Sequence, residues 1–445
     1  MNNKRLLHSS PGVIVLLSLC FVITIGTFLL SLSIAHTQPI TIIDAFFTAT
    51  SATCVTGLFT IPLEQFSFFG HCIIMALMQI GGLGLITMTL MFLSLFVNFG
   101  LSTQLMAGHL LDLESWKNIK KLLLFIALIT LISECIGASF MAFLFMQHEP
   151  IGQAIFHAIF HAIASFCNAG IELPHSYVSL YKTSYPILFT TMTLSLIGGL
   201  GFITWHEIVA WIKSLFTRKR FRFSLHSKII LYGSTALILT STCVIWLLEH
   251  SHAYANMSFI QSIVYALFQA ITSKSTGFSL IPLSEFQLAT IFLMMIIAFI
   301  GSSPASTGSG IKITTFTLLL ATVKTALSGK TVVELKGRRI AHDQILKSIA
   351  IFFLGLSSIA LITFLLLTSE QRWPFFNIFF EAWSALTNLG TSLSITPTLS
   401  TFGKLIIMIG MMIGRIGSFT LIISLKMIRG TDTNEFIYPE ERMML

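Results

Sequence analysis

Four glycines in this 445-residue chain are placed where backbone could do chemistry. Gly57, Gly170, Gly277 and Gly390 close the segments FTATSATCVTG (Phe47–Gly57), FHAIASFCNAG (Phe160–Gly170), FQAITSKSTG (Phe268–Gly277) and FEAWSALTNLG (Phe380–Gly390). Each reads Phe, any residue, Ala, then six or seven residues, then Gly, and the glycines lie 113, 107 and 113 residues apart. The closing residues are Thr53, Cys54, Val55, Thr56 and Gly57 in the first segment, and Phe166, Cys167, Asn168, Ala169 and Gly170 in the second. The third closes with Ser273, Lys274, Ser275, Thr276 and Gly277, and the fourth with Leu386, Thr387, Asn388, Leu389 and Gly390. Side chains vary while the glycine recurs, as expected where the backbone supplies the ligands. Successive carbonyls turned to one side need unusual dihedrals, including positive φ, which glycine adopts at little cost. Rings of such carbonyls replace the hydration shell of a potassium ion. These are candidate selectivity-filter segments binding K+ through backbone oxygens. One such glycine alone would read as a turn or a packing residue; four in register favour the pore.

The titratable residues offer less. His157 and His161 stand one helical turn apart and could share a metal, but no third ligand is evident and packing is the better reading. Asp112 and Glu114 complete no triad or dyad, which argues against an enzyme. The string SGKT (Ser328–Thr331) has Lys324 where a phosphate loop needs its first glycine. Six scattered cysteines show no metal-ligand spacing and read as small apolar residues, with no disulfide expected. No cofactor is implied beyond K+ as the transported ion.

Composition sets the environment. Hydrophobic residues make up 54% of the chain and charged residues 10%, too few to cover a soluble protein of this size. Mean hydropathy is +0.86. Apolar stretches recur near residues 13–35, 70–97, 122–147, 184–212, 229–249, 287–300, 313–327, 344–368 and 403–428, most reaching the roughly 20 residues of a spanning helix. Of 26 basic residues, 20 lie in the N-terminus, around Lys117–Lys121, in Lys213–Lys228, in Lys324–Lys347 and in the C-terminal tail. They alternate with segments almost free of them, so both termini and the basic loops are expected in the cytoplasm. The net charge of +8 then reflects loops near anionic lipid and not nucleic-acid binding.

The elements repeat around the glycines. An apolar span precedes each marked segment and another follows it. The segments between (Thr41–Ala52, Ile151–Phe166, Phe259–Thr272 and Phe375–Leu386) are too short to cross about 30 Å of hydrocarbon. They fit a helix that enters partway and returns as extended chain, tolerated only against protein or water. The expected fold is an all-α polytopic membrane protein of four outer helix–pore loop–inner helix units, with eight transmembrane helices around one central pore. The units are residues 1–110, 111–218, 219–335 and 336–445.

Each second span carries an Ile-Gly mark, at Gly81, Gly198, Gly301 and Gly414. Small residues let inner helices approach closely, which accounts for the GGLG copies. The third copy differs. Gly301, Ser302, Ser303, Pro304, Ala305, Ser306, Thr307, Gly308, Ser309, Gly310, Ile311 and Lys312 should break the helix and leave a loop at membrane depth, a candidate gate. Arg415 occupies the fourth mark, where a cation must pair, or tune a barrier on a cation path. Lys274 either braces the back of a filter segment or snorkels to an interface. Glu134 is the intramembrane carboxylate that an ion-coupled secondary carrier would need.

TCVTGL, FCNAGI, KSTGF and LTNLGTSL, with GGLGF, IGRIG and the tail IYPEERMML, resemble the ion-translocating subunits of the Ktr/Trk/HKT potassium transporter superfamily, most closely the KtrB type. The resemblance covers almost the whole chain. It implies four pore units, a homodimer in the bacterial cell membrane, and a cytosolic ring of nucleotide-binding (ATP/ADP) regulatory subunits. It also implies that Gly301–Lys312 is the intramembrane gate and that Arg415 lies close below the filter. Sodium-preferring members often carry serine at the first filter glycine; Gly57 makes potassium the expected ion, with sodium conduction the alternative. Cys54 and Asn388 depart from the family pattern.

Overall fold

The computed structural model describes residues 11–83, 119–173, 184–218 and 220–417. The tail, Lys4, Arg5, Asp112, Glu114, Lys117 and Lys219 therefore lie outside the described residues. The fold is mostly helical. In chain order the α-helices are α1 (Pro11–Leu30), α2 (Ile42–Cys54), α3 (Phe68–Gly82), α4 (Ile119–Phe145), α5 (Ile151–Cys167), α6 (Tyr185–Gly199) and α7 (Phe202–Thr217). There follow α8 (Leu225–Glu249), α9 (Phe259–Thr272), α10 (Leu288–Ile300), α11 (Ile313–Leu327), α12 (His342–Ser369), α13 (Phe375–Thr387) and α14 (Thr401–Ile416). A two-stranded hairpin, β1 (Glu334–Leu335) with β2 (Arg338–Arg339), joins α11 to α12.

Length sorts these helices. Lys121–Phe145, Leu225–Glu249 and His342–Ser369 are long and apolar enough to cross a membrane, and the bent pair α6–α7 would make a fourth span. Their outer faces carry Leu131, Ile136, Phe143, Leu239, Leu361 and Phe364 in the open, which water would penalise and hydrocarbon would not. The marked segments form helices of 13, 17, 14 and 13 residues, α2, α5, α9 and α13. At about 1.5 Å per residue a 13-residue helix reaches only about 20 Å. Serine N-caps start many of the helices: Ser67, Ser224, Ser258 and Ser400 each accept from a backbone N–H three residues on, at 3.2, 3.2, 3.3 and 3.0 Å.

The recurring Phe and Ala are core residues. Phe47, Phe160, Phe268 and Phe380 have no exposed surface, and Ala49, Ala162, Ala270 and Ala382 are buried beside them. Packing runs in a cycle. α3 packs on α5, α6 on α9, α10 on α13, and α14 on α2, so each marked helix meets the helix that follows the preceding marked segment.

Two helix breaks stand out. α10 ends at Gly301, whose φ is +67°, and helix resumes at Ile313, as the residue types of this stretch foretell. The second break was not foretold: the stretch 184–212 reads as one span, yet α6 and α7 meet at 103°. Gly201, at φ +86°, makes the corner, and the Phe202 N–H at the start of α7 donates to Ala305 O at 2.8 Å. GGLG therefore turns the chain as well as packing it.

Candidate functional site

The four short helices end a few residues before their glycines. Val55, Asn168 and Asn388 cap α2, α5 and α13 in the left-handed conformation, while α9 ends on Ser273 in right-handed geometry. Beyond each cap the backbone N–H groups turn back to the helix. Thr56 donates to Ser51 O (2.8 Å), Ala169 to Ala164 O (2.8 Å), Thr276 to Thr272 O (2.8 Å) and Leu389 to Ser384 O (3.0 Å). These bonds satisfy orphan carbonyls of the helix end. They also leave the carbonyls of Thr56, Ala169, Thr276 and Leu389 without a hydrogen bond from any other described residue.

Those four carbonyls and the four glycines stand in a closed cycle. A Cβ added to Gly57 would lie 2.5 Å from Ala169 O. One on Gly170 would strike Thr276 O, one on Gly277 would strike Leu389 O, and one on Gly390 would strike Thr56 O. Each glycine thus abuts the carbonyl just before the glycine of the next segment, and the fourth returns to the first. All four hold positive φ, at +95°, +62°, +77° and +83°. A side chain here is excluded by conformation and by a backbone neighbour that cannot rotate away.

The inner-helix glycines press on the same segments from behind. A Cβ on Gly81 would meet Thr53 O, one on Gly198 would meet Phe166 O, and one on Gly414 would meet Leu386 O. Gly82 sits against the Cys167 side chain. The third copy takes no such place, because its helix has stopped at Gly301.

The segment Gly301–Lys312 instead folds across the neighbouring elements. Ser302 N donates to Ser309 O (3.0 Å), Ser303 N to Gly199 O (3.2 Å) and Thr307 N to Gly198 O (3.1 Å). Ser306 Oγ donates to Ser303 O at 2.6 Å, and Ala305, next to Pro304, holds φ at +51°. The Gly308 and Gly310 positions are too tight for a Cβ, against Ser302 and Ser275 for the former and Gly301 and Ala298 for the latter.

Three cations lie in this region: Arg415, Lys312 at the end of the loop, and Lys274 on the third segment. Arg415 Nη1 donates to Thr307 O at 2.7 Å, and Nη2 donates to Gly82 O at 3.2 Å and to Gly81 O. Lys312 Nζ donates to Gly308 O at 2.7 Å. Lys274 is buried and donates to Ser234 Oγ on α8 at 3.1 Å, so it points behind its segment and not toward an interface.

The other titratable residues separate. His157 Nδ1 lies 2.7 Å from Glu149 Oε2, while His161 Nε2 lies 3.0 Å from Thr191 Oγ1 on α6. No group of three metal-ligating residues occurs among the described residues. SGKT follows α11 and opens no helix. Gln79 Nε2 donates to Glu134 Oε2 at 3.1 Å, joining α3 to α4.

Glu134 is not the only carboxylate within the helical body. Glu381, fully buried on α13, accepts from Ser392 Oγ at 2.8 Å and from Thr396 Oγ1. The sequence hides it because α13 is too short to read as a membrane span, so burial there comes from the surrounding protein. Asp44 was missed as well. It accepts from Thr41 Oγ1 (2.6 Å), Thr60 Oγ1 (2.7 Å) and Lys404 Nζ (2.7 Å), which ties α2 to α14 across 360 residues of sequence. Its signal was local only, a Thr-x-x-Asp start to α2 that resembles a capping box.

Residues 9–435 match the family model TrkH, described as a cation transport protein. The chain is 32% identical to Ktr system potassium uptake protein B of Bacillus subtilis strain 168, over 97% of this chain and 96% of that one. It is 31% identical to the potassium/sodium uptake protein NtpJ of Enterococcus hirae, over 91% and 89%. Its fold is similar to the crystal structure of the potassium transporter TrkH from Vibrio parahaemolyticus, with a TM-score of 0.73 at 21% identity, covering 93% of this chain and 84% of that one. Family model, relatives and fold agree: this chain belongs to the TrkH family of cation transport proteins.

Proposed function

We propose that this protein takes up potassium by passive conduction, and not as an enzyme or an ion-coupled carrier. The observation that carries the reading is the closed cycle of Gly57, Gly170, Gly277 and Gly390, each against the next segment's carbonyl. Four backbone segments arranged that way can line one path with oxygens, while their N–H groups are occupied by the helix ends. The helices add to it. α2, α5, α9 and α13 all end toward the cycle, and each C-terminus carries about half a negative charge, which favours a dehydrated cation. The filter in this reading is Thr53–Gly57, Phe166–Gly170, Ser273–Gly277 and Leu386–Gly390. The four pore units are residues 1–110, 111–218, 219–335 and 336–445, with eight transmembrane helices and both termini in the cytoplasm of a bacterial cell.

Gly301–Lys312 and Arg415 form the gate in this reading. The loop interrupts the helix that would otherwise continue past the cycle, and Arg415 ties it to α3. The driving force is the membrane potential, worth about 2.3 kcal/mol per charge per 100 mV. Control falls to a cytosolic nucleotide-binding subunit docked on the basic loops of a homodimer, in keeping with relatives named as parts of a Ktr system. Sodium conduction is the second reading, because one relative is named for potassium and sodium. The test is growth of a potassium-uptake-deficient bacterium in low potassium. Wild type should restore growth and Gly57→Ser should not; rescue by both would remove the filter from the explanation.

A further inference from the structure

The four junctions of the cycle are not equivalent. At two of them an asparagine reaches across. Asn168 Oδ1 accepts from Thr276 Oγ1 at 2.5 Å, joining the second segment to the third. Asn388 Nδ2 donates to Thr56 Oγ1 at 2.7 Å and to Cys54 O at 3.3 Å, joining the fourth to the first. At the other two junctions the residues at the corresponding sequence positions are Val55 with Ala169 and Ser275 with Leu389, and neither Ala169 nor Leu389 has a hydroxyl to offer. Both asparagines hold left-handed backbone, at φ +59° and +51°, a conformation that Asn tolerates better than most residues.

Only one of the two clamps continues into the loop. Asn168 Nδ2 donates to Thr307 Oγ1 at 2.7 Å, and that hydroxyl donates in turn to Phe166 O at 3.0 Å. Ser309 N, also on the loop, donates to Ser275 Oγ at 3.2 Å. Asn388 makes its remaining bond to Met411 O at 3.2 Å, within a continuous helix. One hydroxyl of the loop therefore bridges two groups of the second segment, and through Asn168 it reaches the third.

We infer that Thr307 and Asn168 make ion discrimination depend on the position of the loop. A loop that leaves its place takes Thr307 Oγ1 with it. Phe166 O then keeps only its longer bond from Asn168 Nδ2 (3.3 Å), and Asn168 loses one of its anchors. The junction of the second and third segments, left to Ser195 Oγ and the Asn168–Thr276 bond, loosens. Discrimination rests on the number and placement of carbonyl dipoles around the ion. A loosened junction accepts smaller cations more readily. The Asn388–Thr56 clamp stays as it was, which supplies an internal control. This inference rests on reading the segments as a filter and the loop as a gate.

The experiment measures potassium and sodium flux into proteoliposomes holding the purified protein. Thr307→Val keeps the shape of the side chain and removes the hydroxyl. It is expected to raise potassium flux and, together with that, to lower potassium-over-sodium discrimination by at least roughly fivefold, the weight of one of the two hydrogen bonds lost. Asn168→Gly, which keeps the positive φ but also removes the Thr276 clamp, should lower discrimination at least as much. Because both remove the Asn168–Thr307 bond, the loss in their combination should fall short of the product of the single losses, whereas Thr307→Val with Asn388→Gly should multiply them. Thr307→Ser, which keeps a hydroxyl, should recover most of the discrimination. Raised flux at undiminished discrimination in Thr307→Val overturns the inference, as does a multiplied loss in the Asn168 pair or equal losses for Val and Ser. Failure of the filter reading itself shows separately, as Gly57→Ser with wild-type discrimination.

Discussion

Replacing Arg415 by lysine separates two things the guanidinium does at once. It places a positive charge near the proposed ion path, and its fork bridges Thr307 O on the loop to Gly81 O and Gly82 O on α3. Lysine keeps the charge but has one nitrogen, which cannot serve carbonyls on both elements in that geometry. A hydrogen bond from a charged donor is worth about 1.5–3 kcal/mol. Loss of the one that holds the loop therefore shifts the loop's closed-to-open ratio by roughly ten- to hundredfold, at about 1.4 kcal/mol per factor of ten. Potassium flux into proteoliposomes, measured without any partner protein, should rise by about that factor until the loop is mostly open. Arg415→Gln should behave alike. If the charge alone matters, Arg415→Lys will conduct like wild type while Arg415→Gln conducts more, and the bridge account is refuted.

Two further expectations concern side chains far from the cycle. Asp44 and Lys404 are paired at 2.7 Å and are largely buried, so Asp44→Asn or Lys404→Met should each lower the melting temperature of the detergent-solubilised protein, with part of the loss recovered in the double variant. Unchanged melting in both single variants would show that the α2–α14 contact does not depend on the pair. Glu134→Gln keeps an oxygen for the Gln79 donor and should leave potassium uptake intact across pH. Abolished uptake there would favour a proton-coupled carrier.

The legible part of this molecule is the part written in local pattern. The short helices fall within two residues of where Phe-x-Ala and the glycines put them, and the break after Ile300 follows from Gly301, Pro304 and the glycines beyond. The bend at Gly201 was not legible, because Gly-Gly-Leu-Gly can pack in a straight helix and its partner, Ala305 O, is a hundred residues away. Arg415, Asn168 and Asn388 drew notice for charge, or for position in a segment. Their roles as bridges depend on carbonyls and hydroxyls in other units, which spacing along the chain does not reveal. Glu381 is the same lesson in reverse. Its carboxylate is inside because neighbouring hydroxyls and protein surround it, and no hydropathy pattern announces that.

The central claim is that four glycine-ended segments together choose the ion. The most direct measurement is the reversal potential under opposed potassium and sodium gradients, for wild type and for serine at each of Gly57, Gly170, Gly277 and Gly390 in turn. Each serine must adopt a positive φ and displace a neighbouring carbonyl, at a strain of about 1–3 kcal/mol. Wild type should follow the potassium gradient, and each of the four variants should move toward the sodium gradient or lose current. Wild-type reversal potentials at full current in all four variants would contradict the account.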